Sequence, residues 1–279
     1  DPFSVDATIG GTWASPAVVL TVTGGPQSVS LARVVVPVES SRLEATIDRD
    51  GVRWTMSSAN VADGVVSSNG LYDRGFGGTI ARLAVEGVKL DAIAGVADEL
   101  AGTLHVDAVL FRRDGRHPGA RITARVEQPR YEALRRLAAV FSRYGLRHPE
   151  RRGTEPLTLT LRAGDGELEI RELEASLDEV MSVTGRVVRT ELGRWSGEGR
   201  VTAKKAWLQT SHLFLRPAEW LGDVVLPIRI EGRDGAVRAH ADVLAALDGI
   251  LARTGVGRGL QSAIDKLLFN VLDLAPKSA

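Results

Sequence analysis

A period of two runs through most of this sequence and constrains its fold more than any other feature. Successive side chains on an extended strand point to opposite faces, so alternation of apolar and polar residues marks a strand with one buried and one wet side. Leu43, Ala45 and Ile47 alternate with Glu44, Thr46 and Asp48. Arg49-Asp50-Gly51 then reads as a hairpin turn, because Asp-Gly accepts the positive φ that tight hairpins need. Val52, Trp54 and Met56 alternate with Arg53, Thr55 and Ser57 on the return. The pattern recurs at Leu104, Val106, Ala108 and Leu110, at Ile122, Ala124 and Val126, and at Leu157, Leu159 and Leu161. Leu168 and Ile170 alternate with Glu167, Glu169 and Arg171 after the turn Ala163-Gly164-Asp165-Gly166. Leu226, Ile228 and Ile230 oppose Val225, Pro227, Arg229 and Glu231. Strands joined by short turns predict an antiparallel meander.

Helical period is confined to three places. Leu90 to Leu100 is apolar at Leu90, Ile93, Val96 and Ala97 and predicts a short helix. Pro129 to Tyr144 predicts a second: Pro129 suits a first turn, Tyr131, Leu134, Leu137, Ala138 and Phe141 form a stripe, and Gly145 suits a C-terminal cap. The tail predicts amphipathic helix from Val243 to Leu251 and from Leu260 to Val271, broken at Gly255 to Gly259. The segments are an N-terminal β part (1–128), a helix and loop (129–154), a second β part (155–238) and C-terminal helices (239–279). Two stretches, Val88 to Asp107 and Val183 to Val201, share a glycine ahead of a strand, a loose repetition without a fixed period.

A one-faced meander must cover its apolar side. It can close into a barrel, fold into a sandwich or curl into a trough, and the sequence leaves the three open. The few short helices cannot roof the whole face. A trough would leave an apolar surface larger than monomers usually expose, which marks a binding site.

Composition removes several functions. The 35 Lys and Arg balance 35 Asp and Glu, so the composition gives no electrostatic footprint for nucleic acid or for an anionic membrane surface. There is no cysteine, hence no disulfide, thiolate nucleophile or cysteine metal site. No apolar run approaches the ~20 residues that span a bilayer as a helix. The opening residues carry no signal-like segment, and Ser4 to Thr8 already alternates like a strand, so we read the N-terminus as a cut through a longer protein.

Searching for catalytic motifs finds no Gly-x-Ser-x-Gly elbow and no P-loop. Gly255-Val256-Gly257-Arg258-Gly259 follows a helical stripe, not a strand, and reads as a helix break. The histidines His105, His117, His148, His212 and His240 show no ligand spacing. His105 and Asp107 share a strand face with no third ligand in view, and Glu167 and Glu169 read as the wet side of a strand. Trp13, Trp54, Trp195, Trp207 and Trp220 would suit carbohydrate stacking if exposed together; core is the default reading, with Trp54 as core or groove lining. Arg112-Arg113, Arg135-Arg136 and Arg151-Arg152 are balanced by nearby acids and read as solvated surface. The chain is expected to be non-enzymatic, without metal or cofactor.

The tail carries a resemblance. Leu226-Pro227-Ile228-Arg229-Ile230-Glu231-Gly232, a short strand around Val237, and Asp242-Val243-Leu244-Ala245-Ala246-Leu247 leading into a helix resemble the C-terminal end of AsmA-like proteins. Gly197-Glu198-Gly199-Arg200-Val201-Thr202-Ala203-Lys204-Lys205-Ala206 resembles a strand of the same family, with Ala206 where the family often has Gly. Ile9-Gly10-Gly11-Thr12-Trp13-Ala14-Ser15-Pro16 is similar to a strand entry of AsmA-like and TamB-like repeats. Arg233-Asp234-Gly235-Ala236 departs from the pattern where the family usually has Pro. The resemblance implies a mainly β fold, a long antiparallel curled sheet forming an open groove, with a few short helices and a C-terminal amphipathic helical segment. It also implies a periplasmic protein anchored to the inner membrane by an N-terminal helix absent from this chain, with membrane-proximal protein partners. Such a groove conducts phospholipid between inner and outer membrane. Its expected lipid-binding residues here are Leu104, Val106, Leu110, Leu157, Leu159, Leu161, Leu168 and Ile170. Two rival readings are a closed β module for outer-membrane assembly without lipid cargo, and a secreted carbohydrate-binding β domain.

Overall fold

The computed structural model describes residues 3–31, 34–97, 100–113, 115–131, 155–177, 180–208, 222–233 and 236–241. They form a mainly β protein. The strands are β1 (Phe3–Thr12), β2 (Ser15–Gly24), β3 (Gln27–Leu31), β4 (Val34–Ile47), β5 (Gly51–Val61), β6 (Gly64–Asp73), β7 (Gly78–Lys89), β8 (Leu100–Arg113), β9 (Gly119–Tyr131), β10 (Leu157–Gly164), β11 (Glu167–Leu177), β12 (Met181–Arg189), β13 (Arg194–Ala203), β14 (Val224–Arg233) and β15 (Ala236–Ala241). A 3-10 turn at Leu90–Ala92 and a short helix at Lys205–Leu208 are the helical pieces among the described residues.

The chain divides into two compact units. Unit 1 comprises residues 1–132 and 158–168, unit 2 residues 133–157 and 169–279. In unit 1 the strand order is β1-β2-β4-β5-β6-β7-β8-β9-β10, with β3 paired to β4 beside β2. The pairs from β1 to β9 are antiparallel. In unit 2 β12, β13, β14 and β15 pair in chain order, also antiparallel.

Bulges keep one set of side chains on one face. Val85 pairs with Val106 and Val88 with Leu104, so β7 carries an extra residue there; Gly87, at φ +72, supplies the positive φ the bulge needs. A second extra residue lies on β9 between Glu127, opposite Thr103, and Arg130, opposite Ala101. Gln128 sits in the left-handed region there at φ +48.

That second bulge corrects the helix expected from Pro129. Residues 129–131 are the end of β9, and Pro129 is sealed from solvent. A bulge tolerates proline because no ladder hydrogen bond is required of it. The rest of that expected helix, and the tail helices from 243 onward, lie outside the described residues. The helix expected over Leu90–Leu100 is also corrected. It stops after a single 3-10 turn, since Ile93 is already extended and Gly95 adopts φ +89. A backbone at that φ cannot continue a right-handed helix.

Candidate functional site

Because directly paired residues share a face, the register of unit 1 can be read as rows crossing the strands. One row runs Ala7, Leu20, Ala45, Trp54, Gly70, Ala81, Leu110, Ala120 from β1 to β9. A parallel row runs Ala59, Val66, Val85, Val106, Ala124 from β5 to β9. One residue along each strand, the row reads Asp6, Thr21, Glu44, Thr55, Asn69, Arg82, Val109, Arg121. One face is therefore apolar across eight strands and the other predominantly polar.

The apolar face is only partly covered. Ala45, Ala108 and Val126 are buried, but Leu20, Leu43, Leu83, Val106 and Ile122 keep partial exposure and Leu110 remains 40% exposed. Sheets packed face to face in a sandwich would bury such a row fully. At its centre the Trp54 ring lies across β6, and a Cβ on Gly70 would fall inside the indole. Glycine is required there by the close approach of the ring. The same device, an aromatic ring laid over the glycine opposite it, recurs at Phe111 and Gly119 on the other face.

One edge of this face is sealed. Leu90 and Ile93, in the turn after β7, are buried, as are Val61, Ala62, Val88, Ala101 and Val126 at neighbouring strand ends. The turn folds back over the end of the β5–β6 hairpin to β4. The Lys89 N–H donates to the Ala62 carbonyl and the Val35 N–H to the Ala94 carbonyl, both at 3.0 Å. Lys89 Nζ meets Asp63 Oδ2 at 2.8 Å, and the carboxylate raises the lysine pKa above its usual value through that hydrogen bond.

The expected lipid-binding residues fall as follows. Leu104, Val106 and Leu110 lie on the apolar face of β8. Leu157, Leu159 and Leu161 share one side of β10, and Leu168 and Ile170 one side of β11, all partly exposed. Leu157 and Ile170 belong to unit 2 and the other six to unit 1. Of the six strands that the row crosses from β1 to β7, the sequence reading named only Trp54, as core or groove lining, although the alternation of Leu43, Ala45 and Ile47 was there to extend the face. It also missed Gly70, which no local pattern distinguishes from a turn glycine.

The polar faces hold concavities of their own, as a twisted sheet allows. In unit 1 one of about 560 Å³ is lined by Asn69, Arg82, Asp107, Arg121 and Thr123. In unit 2 one of about 750 Å³ is lined by Arg171, Arg186, Glu198, Arg200, Arg229 and His240. Beside the latter, Glu169 accepts from Arg171 Nε at 3.0 Å and Arg186 at 2.5 Å. These contacts, Arg171 foremost, hold its carboxyl below the ordinary value.

His105 and Asp107 share the polar face, opposite Arg125 and Thr123, and His105 Nε2 lies 3.9 Å from Glu127. Among the described residues no three His, Asp or Glu side chains group as metal ligands. Trp13 stands on a hairpin tip and Trp54 in the apolar face of unit 1; in unit 2 Trp207 is buried. Trp220 lies outside the described residues. Among those residues no helix is long and apolar enough to cross a membrane. Comparison with protein-family models, curated proteins and solved structures returned no match.

Proposed function

We propose that this protein binds phospholipid acyl chains on the apolar face of unit 1 and conducts them along it, as a non-enzymatic segment of an AsmA-like lipid conduit. In that reading the protein is periplasmic, held at the inner membrane by a segment outside this chain, and passes lipid toward the outer membrane. One observation carries the proposal: an apolar face crossing eight strands whose side chains stay partly exposed. Seven inter-strand steps of ~4.8 Å give a path of ~34 Å. Along the row from Ala7 to Ala120 an acyl chain meets only apolar or small side chains. Each methylene moved from water onto such a surface gains up to about 0.8 kcal/mol. Headgroups stay in water beyond the open edge, so the site needs no strict polar recognition.

The test is native mass spectrometry of the purified protein followed by lipid extraction, alongside Val106→Asp. Co-purifying phospholipid that is lost in the variant is the expected result. A single clean protein mass with nothing extracted would replace the conduit by a structural assembly module.

A further inference from the structure

The edge opposite the sealed one is built from four hairpin ends in a row. The antiparallel order puts the β1–β2, β4–β5, β6–β7 and β8–β9 connections on the same side of unit 1. Two strands separate one tip from the next, about 10 Å. The first tip holds Trp13, fully exposed, and the third holds Phe76, 66% exposed. The Arg113 guanidinium stacks 4.8 Å from the Phe76 ring centre. Adjacent tips are tied together, since the Arg74 N–H donates to the Asp50 carbonyl at 2.8 Å.

Charge on this rim is arranged asymmetrically. Arg49, Arg74, Arg112 and Arg116 are exposed and make no ion pair with an acid among the described residues. Two of the rim's acids cap their own turns: Asp48 Oδ1 accepts from the Asp50 and Gly51 N–H groups, and Asp73 Oδ1 from the Phe76 N–H at 2.9 Å, while Asp50 is exposed beside Arg49. At the sealed edge the reverse holds, with Lys89 on Asp63 and Arg130 3.6 Å from Asp91. Exposed aromatic rings among outward guanidinium groups match the boundary layer of a bilayer. There an indole finds both apolar and polar surroundings, and arginine finds phosphate.

We propose that the hairpin rim of unit 1 docks on the surface of an anionic phospholipid bilayer, with Trp13 and Phe76 in the interfacial layer and the arginines on lipid phosphates. This surface is separate from the acyl-binding face and does not depend on it.

Flotation of the full chain with vesicles of phosphatidylcholine alone, or of phosphatidylcholine with phosphatidylglycerol, tests the docking. Binding is expected to favour the mixed vesicles, to weaken as salt screens the charges, and to shift tryptophan emission to the blue. Trp13→Phe should abolish that shift while leaving flotation, and the Trp13→Ala/Phe76→Ala double variant should lower partitioning at least about tenfold. Arg112→Glu with Arg116→Glu should remove the preference for phosphatidylglycerol. Absence of flotation, or flotation unchanged in the aromatic double variant, would overturn the proposal. Val106→Asp separates the two readings: retained flotation with lost lipid keeps the rim and the acyl face distinct, and joint loss would overturn the independence of the rim.

Discussion

The two edges of unit 1 are built by opposite rules. At one, Leu90, Ile93, Val61 and Ala62 are buried under a turn that reaches back from β7 to β4. At the other, Trp13 and Phe76 stand in solvent on hairpin tips, among arginines that make no ion pair with an acid among the described residues. The same strands run between them, so the difference lies in the connections and not in the sheet. It teaches that the apolar face ends in a buried turn along one side and in exposed hairpin tips along the other.

Substitutions sharpen or break that contrast. The largest effect is expected at the sealed edge, where Ile93→Ala should cost ~2–4 kcal/mol in urea unfolding by emptying a buried site. Trp13→Ala at the open edge should change stability by no more than ~0.5 kcal/mol. Equal costs at the two edges would erase the distinction. Between them, Gly70→Val should cost ~1–3 kcal/mol, because the new side chain meets the Trp54 ring, and the emission of Trp54 should change with it.

Much of this was legible in the sequence, for a physical reason. Strands declare themselves wherever one face is dry, so Leu43-Ala45-Ile47 and Leu104-Val106-Ala108-Leu110 predict both their conformation and their shared side. Helical stripes are weaker evidence. Leu90, Ile93, Val96 and Ala97 space like a helix, yet Gly95 takes a positive φ and Leu90 and Ile93 are buried by capping a sheet edge. Pro129 looks like a helix start but occupies a bulge, which depends on pairing with a strand some thirty residues away. The rim was illegible for the same reason. Trp13 and Phe76 lie far apart in sequence, and only strand order places their turns on one edge.

The smallest effect lies in unit 2 and serves as a control on electrostatics. Glu169 has a folded pKa below its ordinary 4.5, held there first by Arg171. Its stabilising contribution is therefore complete above pH 4.5 and lost as pH falls through the lower folded value. Glu169→Gln should destabilise the protein at neutral pH, with the difference from the native protein shrinking in acid; a gap that widens in acid would contradict the sign. Since the side chains of Arg171 and Arg186 are well exposed, the effect should also weaken with salt.

The most direct test of the central claim uses the absence of native cysteine. Single cysteines placed in turn from 104 to 110 can carry a fluorophore, and phospholipid brominated in its acyl chains can serve as quencher. Acyl chains on the apolar face predict strong quenching at 104, 106, 108 and 110 and weak quenching at 105, 107 and 109. Uniform quenching, or none, would contradict an acyl-binding face.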